Sequence, residues 1–160
     1  MSPPQLDAID WRILDQLQRD AALSNQALAE LVHVSPATCL RRVKRLVDAG
    51  LIERRIAVLS ADRLGVGLTA VVEDTLDHQS AERLVAFEAK AQAEPAVQQC
   101  YRTSSGPDFV LVVQVRDMEA YHALVQRLFT SDANVRNVKT YFSIKRSKFD
   151  PAIALPVSSR

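Results

Sequence analysis

The sequence predicts an α+β chain, an N-terminal winged helix-turn-helix followed by a ferredoxin-like βαββαβ domain. Three observations lead there. Before Gly50, three N-cap candidates (Asp7, Ser24 and Ser35) each precede apolar residues at helical spacing. From Val66 onward, strand-type segments recur around two helical stretches in the order β-α-β-β-α-β. The cations, finally, are gathered: "SPATCLRRVKRL" brings Arg41, Arg42, Lys44 and Arg45 close together. The expected division is residues 1–59 for the first part, 60–65 for a linker and 66–160 for the second.

The first helix is expected from about Asp7 to Asp20, with Asp7 as N-cap and Asp10 adding negative charge to the first turn. Leu6 and Trp11 occupy the two positions of a hydrophobic staple. Ile9, Ile13, Leu14 and Leu17 form one apolar face. A shorter helix follows Ser24, with Leu28, Leu31 and Val32 inward, and stops at "VHVSP". Ser35 caps the third helix, Pro36 takes a first position that needs no N–H, and Gly50 ends it. Two helices so closely joined make a helix-turn-helix.

At about 100° per residue, Cys39, Val43, Leu46 and Val47 share one side of that third helix, the side expected to be buried. Ala37, Thr38, Arg41 and Arg45 fall opposite, with Arg42 and Lys44 on the flanks. Small residues near a helix N-terminus allow close approach to base edges, and Arg reaches guanine or phosphate. "LIERRIAVLS" after Gly50 has strand character and carries Arg54 and Arg55, which suits a basic wing. A charge run can also be a plain solvated face. The caps, the tight turn and the second basic pair argue for a nucleic-acid interface instead.

In the second part, "SADRLGVG" is read as linker and strand entry, and "VGLTAVVEDTL" (66–76) as a strand. A helix is expected from about Ser80 to Ala93, with Leu84, Phe87 and Ala91 inward and Pro95 beyond its end. "VQQCYRT" (97–103) and "FVLVVQV" (109–115) are strands joined by the turn "TSSGPD". Asp117 caps a second helix with Met118, Tyr121, Leu124, Val125 and Leu128 inward, and residues 135–147 form a last strand. "FVLVVQV" is apolar on both alternations, so the face away from the helices needs a cover. A second copy, related by a twofold axis, is the economical one.

Composition bounds the function classes. The 160 residues carry 20 Lys+Arg against 19 Asp+Glu, and 48% are hydrophobic, which suits one or two globular domains. Residues 1–30 net −3, residues 31–58 net +4, and the chain from Val66 balances at 11 charges of each sign. A local basic stripe fits an anionic partner. No apolar run approaches the ~20 residues that span a bilayer. "MSPPQLDAIDWR" lacks the pattern of a secretory signal, so a cytoplasmic location with reduced Cys39 and Cys100 is expected. His33, His78 and His122 fall in different elements, and no nucleophile motif or metal spacing is present. Neither an enzyme nor a cofactor is expected.

The turn "TSSGPD" sets two hydroxyls, a Gly and a carboxylate between strands. Hydroxyls and free turn N–H groups can hold a carboxylate, and Asp108 can pair with an ammonium, which together would suit an amino acid. An ordinary Ser/Gly/Pro turn capped by Asp108 is the alternative.

Read along its length, the chain resembles the Lrp/AsnC (feast/famine) family of transcriptional regulators. The opening appears as Leu6-Asp7, Asp10, Ile13-Leu14, Leu17-Gln18 and Asp20. The helix-turn-helix appears as Leu28-Ala29-Glu30-Leu31, Ser35-Pro36, Thr38-Cys39, Arg42-Val43-Lys44-Arg45-Leu46 and Gly50-Leu51-Ile52. The second-domain signature appears as Cys100-Tyr101, Asp108-Phe109 and Val110-Leu111-Val112. The resemblance implies an amino-acid-binding βαββαβ domain and homodimers that often assemble to octamers. It also implies an effector site between dimers, carried here by Ser104, Ser105, Gly106 and Asp108. Two departures stand out. Where the family has Thr-Gly-x-x-Asp, this chain has Ser104-Ser105-Gly106-Pro107-Asp108; and His33 stands where Gly is common. His is among the residues enriched at positive φ, so His33 is expected there.

The leading expectation is therefore a sequence-specific DNA-binding transcriptional regulator, nucleoid-associated and modulated by a small molecule, most simply an amino acid. Its double-stranded DNA contacts are expected from Ser35, Ala37, Thr38, Arg41, Arg42, Lys44, Arg45, Arg54 and Arg55. The competing expectation is an architectural DNA-binding protein with no effector.

Overall fold

Good caps and apolar stripes produce the three expected N-terminal helices in the computed structural model, which describes residues 5–65 and 67–156. Helices α1 (Ala8–Arg19), α2 (Asn25–Val32) and α3 (Pro36–Asp48) are each capped by the expected residue. Asp7 accepts from the N–H groups of Ile9 and Asp10, Ser24 from Ala27 and Ser35 from Thr38. Their shared core is Ile13, Leu17, Leu28, Ala29, Val32, Cys39 and Leu46. Leu31 and Val47, expected inward, are exposed. On short helices Leu28, Ala29 and Val32, and likewise Cys39 and Leu46, already fill the arc that faces the neighbours.

Two compact units account for the chain, one reaching Val58 and resuming at Lys148, the other Leu59–Ser147. The stretch after Lys148, expected in the second part, groups with the first. Within that unit the Gln18 amide group takes both backbone groups of Ile153, at 3.1 Å each. Two other expectations change. Residues 53–60 form no strand, because a ladder needs a partner and none is present among the described residues. Part of the expected linker is instead one helical turn, α4 (Ala61–Leu64).

In the second unit, β1 (Leu68–Leu76), α5 (Ala81–Ala93), β2 (Val97–Arg102), β3 (Phe109–Val115), α6 (Met118–Val125) and β4 (Val135–Phe142) follow the expected order. Val66, the expected start of β1, lies outside the described residues. Helix α6 continues into a π-helical turn, Gln126–Thr130, that buries Leu128 and Phe129. Met118, at the first position of α6, is exposed rather than inward. The last strand stops at Phe142, short of the expected Ser147.

The sheet order is β2-β3-β1-β4, antiparallel throughout. Strict alternation puts Ala70, Val72, Leu76, Phe109, Leu111 and Val113 on one face, packed with Phe87 and Ala91 of α5 and Tyr121 and Leu124 of α6. Phe87 lies 4.7 Å from Phe109 and 6.2 Å from Phe129, centroid to centroid. On the other face the register aligns Tyr101, Val110, Glu73 and Lys139 in one row, and Gln99, Val112, Val71 and Tyr141 in the next. Both α5 and α6 pack on the first face and leave this one uncovered by either.

Candidate nucleic-acid interface and effector turn

The geometry of α3 begins in the turn that precedes it. His33 adopts φ 58° and ψ 52°, the left-handed conformation expected from the sequence. There the Val34 N–H reaches the Ala29 carbonyl at 3.0 Å and the His33 N–H that of Glu30 at 3.2 Å, a Schellman closure of α2. Asn25 Nδ2 donates to the Pro36 carbonyl at 2.9 Å, tying the start of α2 to the start of α3. At the far end Gly50, with φ 71°, repeats the closure: Gly50 N–H to Val47 and Leu51 N–H to Leu46.

Cys39 and Leu46 are buried and Val43 is partly buried, so one side of α3 is pinned to the unit. Ala37, Arg41 and Lys44 stand exposed on other parts of the helix. Neither Arg41 nor Lys44 is ion-paired among the described residues. Ser35 is exposed and Thr38 half-buried, and their hydroxyls join at 2.9 Å, so both serve the cap. Arg54 and Arg55 are exposed on the extended segment after α3.

Arg42 and Arg45 do not stand free. Arg42 Nη1 donates to Asp7 Oδ2 at 2.7 Å and to Asp10 Oδ1 at 2.8 Å, while Arg45 Nη2 donates to Asp10 Oδ2 at 2.5 Å. Asp10 is 1% exposed and also accepts from the Asp7 N–H at 3.1 Å, completing a capping box. The Asp7 carboxyl is held down to about 2, first by the Asp10 N–H and then by the Arg42 guanidinium. Arg42 is only 21% exposed, whereas Arg45 keeps half its side chain in solvent. A carboxylate on α1 thus orients two cations of α3. Sequence reading placed Asp10 in the first turn and missed this role, because nothing local links it to residues more than thirty positions away.

The loop between β2 and β3 is closed by the Thr103 N–H on the Asp108 carbonyl at 3.0 Å and by the Thr103 hydroxyl on the Pro107 carbonyl. Ser104 and Ser105 are exposed, without a hydrogen-bond partner among the described residues, and Gly106 takes φ 84°. Asp108 Oδ2 accepts from the Leu76 N–H at 2.7 Å, so this carboxylate anchors the loop to β1. The structure brings Ser104, Ser105, Gly106 and Asp108 into one loop, with the hydroxyls outward and the carboxylate partly engaged. Among the described residues no cluster of His, Cys, Asp or Glu is arranged to hold a metal ion. No helix among them is long and apolar enough to cross a membrane.

Comparison with known proteins adds function to this geometry. Residues 6–53 match the winged helix-turn-helix DNA-binding family, and residues 69–153 the Lrp/AsnC ligand binding domain. An uncharacterized HTH-type transcriptional regulator of Haemophilus influenzae is 39% identical, over 94% of this chain and 89% of its own. The leucine-responsive regulatory protein of Rhizobium meliloti is 38% identical, over 90% of this chain and 92% of its own. A Neisseria meningitidis transcriptional regulator, crystallised as an L-Met complex, superposes with a TM-score of 0.85 at 30% identity. That likeness covers 94% of this chain and 97% of the other.

Proposed function

The chain belongs to the Lrp/AsnC family of transcriptional regulators, with a DNA-binding helix-turn-helix and a ligand-binding domain, and on that premise we propose how it works. Helix α3 enters the major groove of double-stranded DNA, with Ala37 close to the bases and Arg41 and Lys44 on base edges or phosphate. Arg45, half-exposed, reaches phosphate while Asp10 holds it. Arg42 acts as a strut between α1 and α3, and Arg54 and Arg55 track the backbone. The observation that carries this reading is the orientation of α3: Cys39 and Leu46 inward, Ala37, Arg41 and Lys44 exposed.

Small-molecule control is assigned to the second unit. The effector is an amino acid, held by the Ser104, Ser105, Gly106 and Asp108 loop. Support comes from the loop's exposed hydroxyls, and from relatives named for leucine and crystallised with L-Met. Homodimers form through the uncovered sheet face and assemble further, to octamers, on the nucleoid. The relatives are transcriptional regulators, and the chain's role is read as regulation rather than catalysis.

A second reading, an architectural protein without an effector, is favoured by one observation: Asp108 is already engaged by the Leu76 N–H. Genome-wide mapping of bound DNA, with and without added amino acids, separates the two. Discrete promoter sites that change in occupancy with an amino acid support the regulator. Occupancy that ignores all twenty, together with no thermal stabilisation by any of them, supports the architectural reading.

A further inference from the structure

Asp74 is a buried acid with no cation paired to it among the described residues. Alternation along β1 sets it between Val72 and Leu76 on the face under the helices, where it is 0% exposed. Among the described residues neither of its carboxylate oxygens completes a hydrogen bond, and the Thr75 N–H, the one group that favours its charged form, is the weakest influence on it. Its ladder neighbours are Phe109 and Val138, which offer nothing polar from their side chains. A buried charged group without compensation is costly, and such a group takes up a proton instead.

The ionisable groups around it are acidic or thiol. Asp108 bears on it from the β2–β3 loop and Asp132 from the segment before β4. Cys100 on β2 lies close enough to feel both Asp74 and Glu88 of α5. The cations near these acids are Arg102, paired with Glu88 at 2.8 Å, Lys90, paired with Asp132 at 3.0 Å, and Arg83 of α5, which acts on Asp132; none of them acts on Asp74. Burial first, and Asp108 and Asp132 after it, push the Asp74 carboxyl up to about 7. Asp108, the residue before Asp74's ladder partner Phe109, is the loop's anchor through its 2.7 Å bond from the Leu76 N–H.

We propose that Asp74 and Asp108 act as a carboxyl pair that makes the Thr103–Asp108 loop a proton-responsive switch. While Asp74 is neutral, Asp108 keeps its bond from the Leu76 N–H. Loss of the Asp74 proton to solvent leaves two carboxylates and no cation between them. The relief available is outward movement of Asp108, which breaks the Leu76 bond. The freed carboxylate then faces the loop mouth, where it can pair with an ammonium group. This last step rests on the proposed effector role of the loop; the pair itself does not.

The direction of the linkage is fixed. A carboxyl raised above its unfolded value contributes stability that is fully present below about pH 4. That contribution is lost as pH rises toward 7, and above 7 it changes no further.

The test uses the full chain, its Asp74→Asn variant and, since a neutral amide keeps the polar burial, an Asp74→Leu variant. Melting temperature and hydrogen exchange at the Leu76 and Thr103 amides are followed from pH 5 to 8, corrected for intrinsic exchange. Relative to both variants, the parent should lose roughly 5–10 °C across that range. Its Leu76 protection should fall about tenfold or more while the variants stay level. Parallel pH profiles in all three proteins would overturn the pair. Thermal shifts with L-methionine and L-leucine at both ends of the range separate the two readings. A pH effect confined to the parent, with no shift by either amino acid, keeps the pair and removes the effector step. Amino-acid shifts alongside parallel profiles remove the pair and keep the effector.

Discussion

Asp10 illustrates how one side chain can set a surface it does not belong to. It is buried, yet it accepts from Arg42, Arg45 and the Asp7 N–H, so nearly all its lone-pair capacity is used. A buried carboxylate is tolerable only in such company. Replacing Asp10 with Ala removes the box, frees Arg45 and leaves Arg42 only its bond to Asp7, and should cost about 2–4 kcal/mol in chemical denaturation. The same variant should weaken DNA binding beyond its effect on folding, because Arg45 loses its orientation. His33 makes the opposite prediction. Held at φ 58°, a non-Gly residue carries strain that Gly does not, so His33→Gly should stabilise the first unit by about 0.5–1 kcal/mol. A loss of stability would show that the His33 side chain has a role its exposure hides.

Among the elements, α3 is the one whose two sides do different work. Its core side is held by Cys39 and Leu46, and its ends by Ser35 and Gly50, which leaves the cations to face outward or toward α1. The four cations are therefore not equivalent. Arg41→Ala and Lys44→Ala should each lower affinity for all DNA sequences and reduce the log–log salt slope by about 1. Arg42→Ala should instead show mainly as a fall in stability, since it is the least exposed of the ion-paired arginines here. Equal salt-slope losses for Arg42 and Arg41 would contradict the strut. The segment after α3 teaches a related lesson. "LIERRIAVLS" has strand composition, but its Ile56, Val58 and Leu59 lie exposed and no ladder forms. Propensity supplies a candidate strand; only a partner makes it one.

For the molecule as a whole, the uncovered sheet face is the feature that demands a partner. Val71, Tyr101 and Tyr141 are exposed there beside Val110 and Val112, in a row pattern fixed by the register. A second copy of the same face satisfies twofold symmetry and places two copies of α3 in one assembly, suited to half-sites about 34 Å or a multiple of it apart. Val112→Asp, which sets a charge in the middle of that face, should shift the protein to monomer by light scattering. Operator affinity should fall with it, because each half-site then binds alone. An unchanged dimer would move the interface elsewhere.

How much of this could be read from the sequence follows the range of the interactions. Caps, helical stripes, strand alternation and the left-handed His33 depend on residues within a few positions of one another, so Asp7, Ser24, Ser35 and Asp117 capped the helices they were expected to cap. The order βαββαβ and the two-sided apolarity of β3 were legible for the same reason. Long-range pairing was not. That Asp10 would collect Arg42 and Arg45, that Asp108 would anchor Leu76, and that Asp74 would be sealed in with no cation beside it among the described residues depend on which elements fold against each other. The local pattern determined the two domain types and the cationic helix. Tertiary packing decided which charges are spent inside the protein and which stay exposed, because a carboxylate's state is set by what lies within a few ångströms in space rather than along the chain.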